Sequence, residues 1–199
     1  MRTKICGITN LEDALIAIEA GVDALGFVFY EKSPRYISSE DARKIIDALP
    51  PFIERVGLFV DCDAHAVNHI YHDSHLSLAQ IHFKADDAFY SALEVPFIQV
   101  IRAQSEEEVR GIDNKHYYLV DSFVQQYGGE GKRLNLSWFE GVDCSKMILA
   151  GGLNAKNVQE TQKYGFFGVD VSSGVEKSKG KKDRMKIENF MKAVKRGKI

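Results

Sequence analysis

The chain has 199 residues, 45% of them hydrophobic and 27% charged, with a net charge of −2, a balance that suits one globular domain with its own core. No apolar run approaches the roughly 20 residues that cross a bilayer, and MRTKICGITN lacks the apolar stretch of a secretory signal, so a cytoplasmic protein with no membrane partner is expected. Three cysteines, Cys6, Cys62 and Cys144, are too few and too scattered for a disulfide framework, and with no C-x-x-C pair they argue against a cysteine zinc site.

A first strand, Thr3 to Cys6, ends at Gly7. Asn10 then caps a helix that places Leu11, Ala14, Leu15 and Ile18 on one face and stops at Gly21. Ala24 to Phe29 is an unbroken apolar run of strand length, the pattern of a strand buried on both faces. Ser38 or Ser39 caps a second helix reaching Leu49, which Pro50-Pro51 ends.

The alternation continues with a strand at Arg55–Val60, a helix at Ala64–His72, a strand at Leu78–His82 and a helix at Asp86–Leu93. Strands at Phe97–Ile101 and Tyr117–Asp121 flank a short helix at Ser105–Ile112. Short helix Ser137–Val142, strand Met147–Ala150, helix Ala155–Tyr164 and strand Gly168–Val171 lead to a last helix at Lys182–Lys195. Eight strand–helix units without a linker predict a single α/β domain over residues 1–199, a (β/α)8 TIM barrel. The alternative is a doubly wound open sheet, which usually carries a Gly-rich turn after its first strand; here that turn reads Cys-Gly-Ile-Thr.

The segment from Lys177 to Lys198 holds ten basic residues against two acids, leaving 16 basic and 26 acidic residues elsewhere, a balance of −10. Such a tail could meet nucleic acid, but the aromatic platforms of nucleic-acid binders are missing, and a solvated face on the last helix is expected instead.

In a barrel of this kind the chemistry sits where strands end and lead into helices. Cys6 ends strand one, Lys32 and Arg35 follow strand two, His82 ends strand four and Asp121 ends strand six. Glycine-rich turns follow strands six, seven and eight: GGEGK (Gly128–Lys132, with Gly129 and Gly131), AGGLN (with Gly151 and Gly152) and SSG (Ser172, Ser173 and Gly174). Glycine lets backbone N–H groups approach an anion, and turns after strands seven and eight are where barrels hold phosphate. A small phosphate ester is the expected ligand.

A thiol at the mouth of strand one needs only a modest downward shift to become a thiolate base, although most free cysteines are core residues. Asp121 could serve as an acid near neutral pH if burial raises its pKa, or simply cap a turn. Arg35 offers a planar fork for a carboxylate, or is a surface arginine. His65, His69 and His72 share a helical face without evident carboxylate partners; a polar outer face is the expectation, with no metal.

Taken together, KICGIT (4–9), GFVFYEKSPRYI (26–37), VGLFV (56–60), QIH (80–82), LVD (119–121), GGEGK (128–132), AGGLNAKNV (150–158), VDVSSGVE (169–176) and GKKD (180–183) resemble the phosphoribosylanthranilate isomerase family from end to end. The resemblance implies an Amadori rearrangement of N-(5-phosphoribosyl)anthranilate to 1-(2-carboxyphenylamino)-1-deoxyribulose 5-phosphate in tryptophan biosynthesis, with no cofactor. It makes Cys6 the base at C2′ of the sugar and Asp121 the acid at the furanose oxygen. Arg35 would hold the anthranilate carboxylate, and the loop glycines with Ser173 the phosphate.

One departure stands out: Phe83 follows His82 where the family pattern has glycine, and altered loop packing with intact chemistry is expected. Two rivals remain. The related histidine-pathway aminoaldose isomerase places an aspartate where Cys6 stands. A barrel that only binds a phosphorylated metabolite needs neither Cys6 nor Asp121. A monomer is expected, with a dimer as the alternative.

Overall fold

The computed structural model describes residues 1–122 and 133–195, and its eight parallel strands close into a barrel in chain order. The staves are β1 (Arg2–Cys6), β2 (Ala24–Val28), β3 (Glu54–Phe59), β4 (Leu78–Ile81), β5 (Phe97–Ala103), β6 (Tyr118–Ser122), β7 (Met147–Leu149) and β8 (Gly168–Val171). The ring closes where β8 pairs with β1, setting Thr3 beside Val169 and Ile5 beside Val171. Closure excludes the open sheet.

Five α-helices start as a polar cap dictates. The side chains of Asn10, Ser38, Asp63, Asp86 and Ser105 each accept the N–H three residues on, opening α1 (Leu11–Glu19), α2 (Ser39–Asp47), α3 (Ala64–Asp73), α4 (Asp87–Ser91) and α5 (Glu106–Arg110). Each such cap is worth about 1 kcal/mol to a short helix. The last helix is α6 (Arg184–Lys195). Phe83 packs edge-on against Phe89 of α4, their ring centres 5.2 Å apart, so the residue that departs from the family pattern fills the space between the β4 loop and its helix.

Three expectations need correction. After β6 and β7 the chain forms 3₁₀ segments, Leu136–Phe139 and Val158–Tyr164, where α-helices were expected. A 3₁₀ segment rises about 2.0 Å per residue against 1.5 Å in an α-helix, so a short connection still spans the barrel wall. The buried side of α1 is Asp13, Ala14, Ile16 and Ala17, while Leu11 and Leu15 are each 37% exposed. Asp13 sets that rotation, because its Oδ2 accepts both the Asn10 side-chain amide and the Lys182 backbone N–H.

The third correction lies in the basic segment. Lys181–Lys182 form β10, paired antiparallel with β9 (Glu176–Ser178), and only then does α6 begin. Lys182 is therefore no solvated tail residue; its relative exposure is 1%.

Two packing layers follow from the period-two alternation of strands. Ile5, Leu25, Phe27, Phe59 and Ile81 belong to the main core, together with α1 Ala14 and Ala17 and α6 Ile187 and Phe190. Inside the ring, Ile98, Leu119 and Ala150 form a separate apolar cluster with Leu78, Val100 and Ile148. One alternation further along the same strands come Gln80, Arg102 and Asp121, so the barrel has an apolar floor and a charged upper layer.

Candidate active site

Cys6, the last residue of β1, is 5% exposed, and Gly26 on β2 makes room for it. A Cβ built on Gly26 would lie 2.9 Å from the Cys6 Sγ and 3.0 Å from the Lys4 Cε, so any side chain there would displace both. Lys4 shares this face and donates to Asp170 Oδ2 of β8 at 3.0 Å, both side chains being buried. Asp170 Oδ1 is buried with no hydrogen-bond partner among the described residues.

Across the ring stands Asp121. Its Oδ1 accepts the Ser122 N–H at 2.7 Å, and its Oδ2 is 3.6 Å from His82 Nε2. That separation is too long for a hydrogen bond. Gln80 Nε2 lies 3.2 Å from the other ring nitrogen of His82, an arrangement that fits an amide N–H donating to Nδ1 and leaves the proton on Nε2, toward Asp121.

Burial governs the ionisation of these groups. It raises the Asp121 carboxyl to about 6, with Asp170 adding to the rise and the Ser122 N–H, Arg102 and Lys4 opposing it. It lowers His82 to about 3, helped by Arg102 and Lys4, so the ring is neutral at physiological pH. It also pushes the Cys6 thiol above its ordinary value, against the pull of Lys4 and Lys182. The downward shift that would favour a thiolate is thus not met: the cations are in place, but desolvation outweighs them.

Beside Cys6 lies a second charge cluster. Arg35 directs Nε (2.8 Å) and Nη2 (2.7 Å) at the two oxygens of Glu176, and Lys182 Nζ reaches Glu176 Oε1 at 3.0 Å. The fork that the sequence offered to a substrate carboxylate already holds an internal one, and Arg35 is 5% exposed. Its Nη1 is not among the atoms that Glu176 holds. Gly7, at φ +80°, permits this approach, since a Cβ there would fall 2.5 Å from the Arg35 Cδ.

The turns after β7 and β8 are pressed together. A Cβ on Gly174 would meet the Leu153 carbonyl oxygen at 1.9 Å, and Gly151 and Gly152 both adopt left-handed φ, +88° and +63°. Asn157 fixes the first turn: its amide donates to the Gly152 carbonyl and its oxygen accepts the Asn154 N–H. Ser173 and Gly174 lie in a single 3₁₀ turn, Ser173–Val175, which opens directly after β8. These four residues, half-buried at the same end of the barrel as Cys6, form a backbone cradle of the kind that takes a phosphate.

Of the remaining expected residues, Gly129 and Gly131 lie outside the described residues. Lys32 is exposed, and His65, His69 and His72 occupy the exposed side of α3. A cavity of about 1110 Å³ opens at the opposite end of the barrel, ringed by the first residues of the strands, and reaches Lys4 and Gln80 from below. Sequence reasoning passed over Lys4, Gln80, Asp170, Glu176 and Lys182. The signal for Lys4 and Asp170 was available: a charge within a strand buried on both faces demands a partner, and each is the other's.

The chain matches the family model of N-(5'-phosphoribosyl)anthranilate isomerase over residues 3–193. It is 56% identical over 195 residues to the N-(5'-phosphoribosyl)anthranilate isomerase of Sulfurovum sp. (strain NBC37-1), covering 98% of this chain and 99% of that one. Its backbone superposes on the phosphoribosyl anthranilate isomerase of Thermotoga maritima with a TM-score of 0.88 at 39% identity, covering 98% of each chain. A phosphoribosyl anthranilate isomerase solved with reduced 1-(o-carboxyphenylamino)-1-deoxyribulose 5-phosphate gives a TM-score of 0.82 at 38% identity over 98% of each chain. In fold, in the order of its motifs and over nearly its whole length, the chain belongs to the N-(5'-phosphoribosyl)anthranilate isomerase family.

Proposed function

We propose that this protein converts N-(5-phosphoribosyl)anthranilate to 1-(2-carboxyphenylamino)-1-deoxyribulose 5-phosphate, with Asp121 as general acid and Cys6 as general base. The observation that carries the assignment is the pairing of a buried thiol on β1 with a carboxyl raised to about 6 on β6, both at the end of the ring that bears the glycine cradle. Asp121 protonates the furanose oxygen and the ring opens to a Schiff base. The cationic nitrogen acidifies C2′, Cys6 removes its proton, and the enolamine tautomerises to the ketone. Every step is a proton transfer, which side chains can supply without a cofactor.

Gly151, Gly152, Ser173 and Gly174 hold the phosphate through backbone N–H groups. Arg35 offers its remaining Nη1 to the anthranilate carboxylate. An aminoaldose isomerase of histidine biosynthesis is disfavoured by a thiol at the end of β1, and a mere binder by the retention of both titrating groups. No helix among the described residues is long and apolar enough to cross a membrane, and cytoplasmic residence is part of the same proposal.

The test is the loss of anthranilate-type fluorescence on adding freshly made phosphoribosylanthranilate. Cys6→Ala and Asp121→Asn should each lose on the order of a thousandfold in kcat, the scale of a positioned acid or base. Wild-type protein that binds phosphate esters without turnover would overturn the assignment.

Phe52, in the α2–β3 turn, is wholly exposed at a left-handed φ of +69°. It stands at the rim of the lower cavity with Phe97, Tyr117 and Phe167, which are 40%, 48% and 38% exposed. A solved structure of monomers generated from the dimeric phosphoribosylanthranilate isomerase of Thermotoga maritima is 36% identical to this chain, with a TM-score of 0.81, so that relative is dimeric in its original form. We propose that a second copy of this chain covers the apolar rim, which favours the dimer over the monomer.

A further inference from the structure

Lys182 lies outside the groups given a role above, although it is among the most deeply buried side chains of the chain. Its ammonium makes three contacts, to the Cys6 carbonyl at 2.6 Å, the Ser172 carbonyl at 3.4 Å and Glu176 Oε1 at 3.0 Å. The first two are the backbone ends of β1 and β8, the strands whose pairing closes the barrel. The hairpin that carries Lys182 is itself anchored: its backbone N–H donates to Asp13 of α1 at 2.8 Å, and the Gly180 carbonyl accepts the Thr9 hydroxyl at 2.6 Å.

Charge counting gives this contact its meaning. The groups that face Cys6 are Lys4 on its own strand, Asp170 on β8, Lys182 on β10, and Arg35 in the β2–α2 connection with its partner Glu176. Lys4 and Asp170 cancel as a one-to-one pair. Glu176 is shared between two cations, Arg35 and Lys182, while the buried Asp13 carboxylate meets Lys182 only at its backbone N–H, so the Lys182 ammonium is the cation of this cluster held directly against the end of β1. A buried cation next to a thiol favours the thiolate, the form that can accept a proton.

We propose that Lys182 is a positioning residue for Cys6: its ammonium clamps the end of β1 and, held there by Glu176, places a buried cation beside the thiol that stabilises the thiolate. The role rests on the reading of Cys6 as the general base. It also gives a reason for burying a lysine, since an apolar side chain of similar length would fill the space without touching the thiol's ionisation. Burial pulls Lys182 below the ordinary lysine range while Glu176 opposes that pull, so the carboxylate is what keeps the charge in place.

The experiment measures the ionisation of Cys6 directly, as thiolate absorbance against pH, each protein being referenced to its own Cys6→Ser background. Lys182→Gln keeps an N–H donor for the Cys6 carbonyl and removes the charge; Lys182→Met removes both; Lys182→Arg restores the charge. The neutral variants should raise the thiol pKa by at least about one unit and lower kcat/KM at least about tenfold, with Lys182→Arg recovering the wild-type titration. An unchanged thiol pKa in folded Lys182→Gln or Lys182→Met protein would overturn the proposal.

Wild-type chain gives a second readout that needs no variant. The buried Lys182 ammonium, followed by nitrogen NMR, should shift as Cys6 titrates, and an ammonium blind to that titration would equally overturn it. A raised thiol pKa with undiminished turnover would uphold the link between Lys182 and Cys6 while removing Cys6 as the base, so the two ideas fail separately.

Discussion

Asp121 and Cys6 titrate in the order opposite to the one their chemistry needs. With a carboxyl at about 6 and a thiol raised above its ordinary range, the pair near neutral pH is chiefly carboxylate and thiol. The form the proposed mechanism requires, carboxylic acid with thiolate, has the same number of protons and is a small, constant fraction between the two transitions. The kcat/KM profile should therefore rise through about pH 6, run level and fall as the thiol ionises, once corrected for the substrate phosphate. A profile still climbing by pH 8 without a plateau would contradict this.

The same carboxyl bears on stability. Its folded pKa of about 6 lies above the ordinary 3.8, so it costs nothing below pH 4, lowers stability progressively as the pH rises from about 4 to about 6, and carries its full cost above that. Asp121→Asn should accordingly stabilise the protein at pH 8, by up to about 3 kcal/mol, and have little effect at pH 4. Denaturant midpoints at the two pH values would decide it; equal changes at both would show that the buried charge is not the cause.

Among the elements, the paired turns after β7 and β8 are the least tolerant of change. A Cβ at Gly174 falls on the Leu153 carbonyl, which belongs to the backbone and cannot swing aside. Gly174→Ala should separate the two turns, raising KM at least about tenfold and costing about 1–3 kcal/mol from overpacking. Normal substrate affinity in that variant would place the phosphate elsewhere.

How much of this the sequence disclosed follows from the range of each interaction. Cys6, Asp121 and the glycine turns were legible because they sit where a strand stops, a boundary that local patterning marks. Arg35 was legible as a fork, but its internal partner Glu176 is 141 residues away and no local pattern links them. Lys182 was hidden more thoroughly, since a two-residue strand has no period and the lysines around it, Lys177, Lys179 and Lys181, are indeed solvated. The buried side of α1 was misjudged because its rotation is set by Asp13 reaching that same hairpin.

At the scale of the molecule the barrel has one end that carries the proposed site and another that exposes aromatic side chains among charged ones. Cys6, Asp121 and the glycine turns occupy one; Phe52, Phe97, Tyr117 and Phe167 ring the other. Covering the second end with another copy leaves the mouth of the first open. Phe52→Asp should shift the sedimentation of the protein from dimer to monomer while the fluorescence assay still registers turnover. A wild-type monomer at micromolar concentration would remove the dimer reading.

The contact between Lys182 and Cys6 joins positions 176 residues apart, and it sets a timetable for the ribosome. The thiol emerges 176 residues ahead of the lysine that clamps it, which appears only when β8 and the hairpin have followed. Until then β1 lacks one of its two neighbours and the ring stays open. During translation Cys6 is thus an unguarded thiol on an unfinished sheet, prone to the pairing and oxidation that the completed barrel prevents. A nascent chain cut short before residue 182 should be catalytically silent, whatever part of it has already folded.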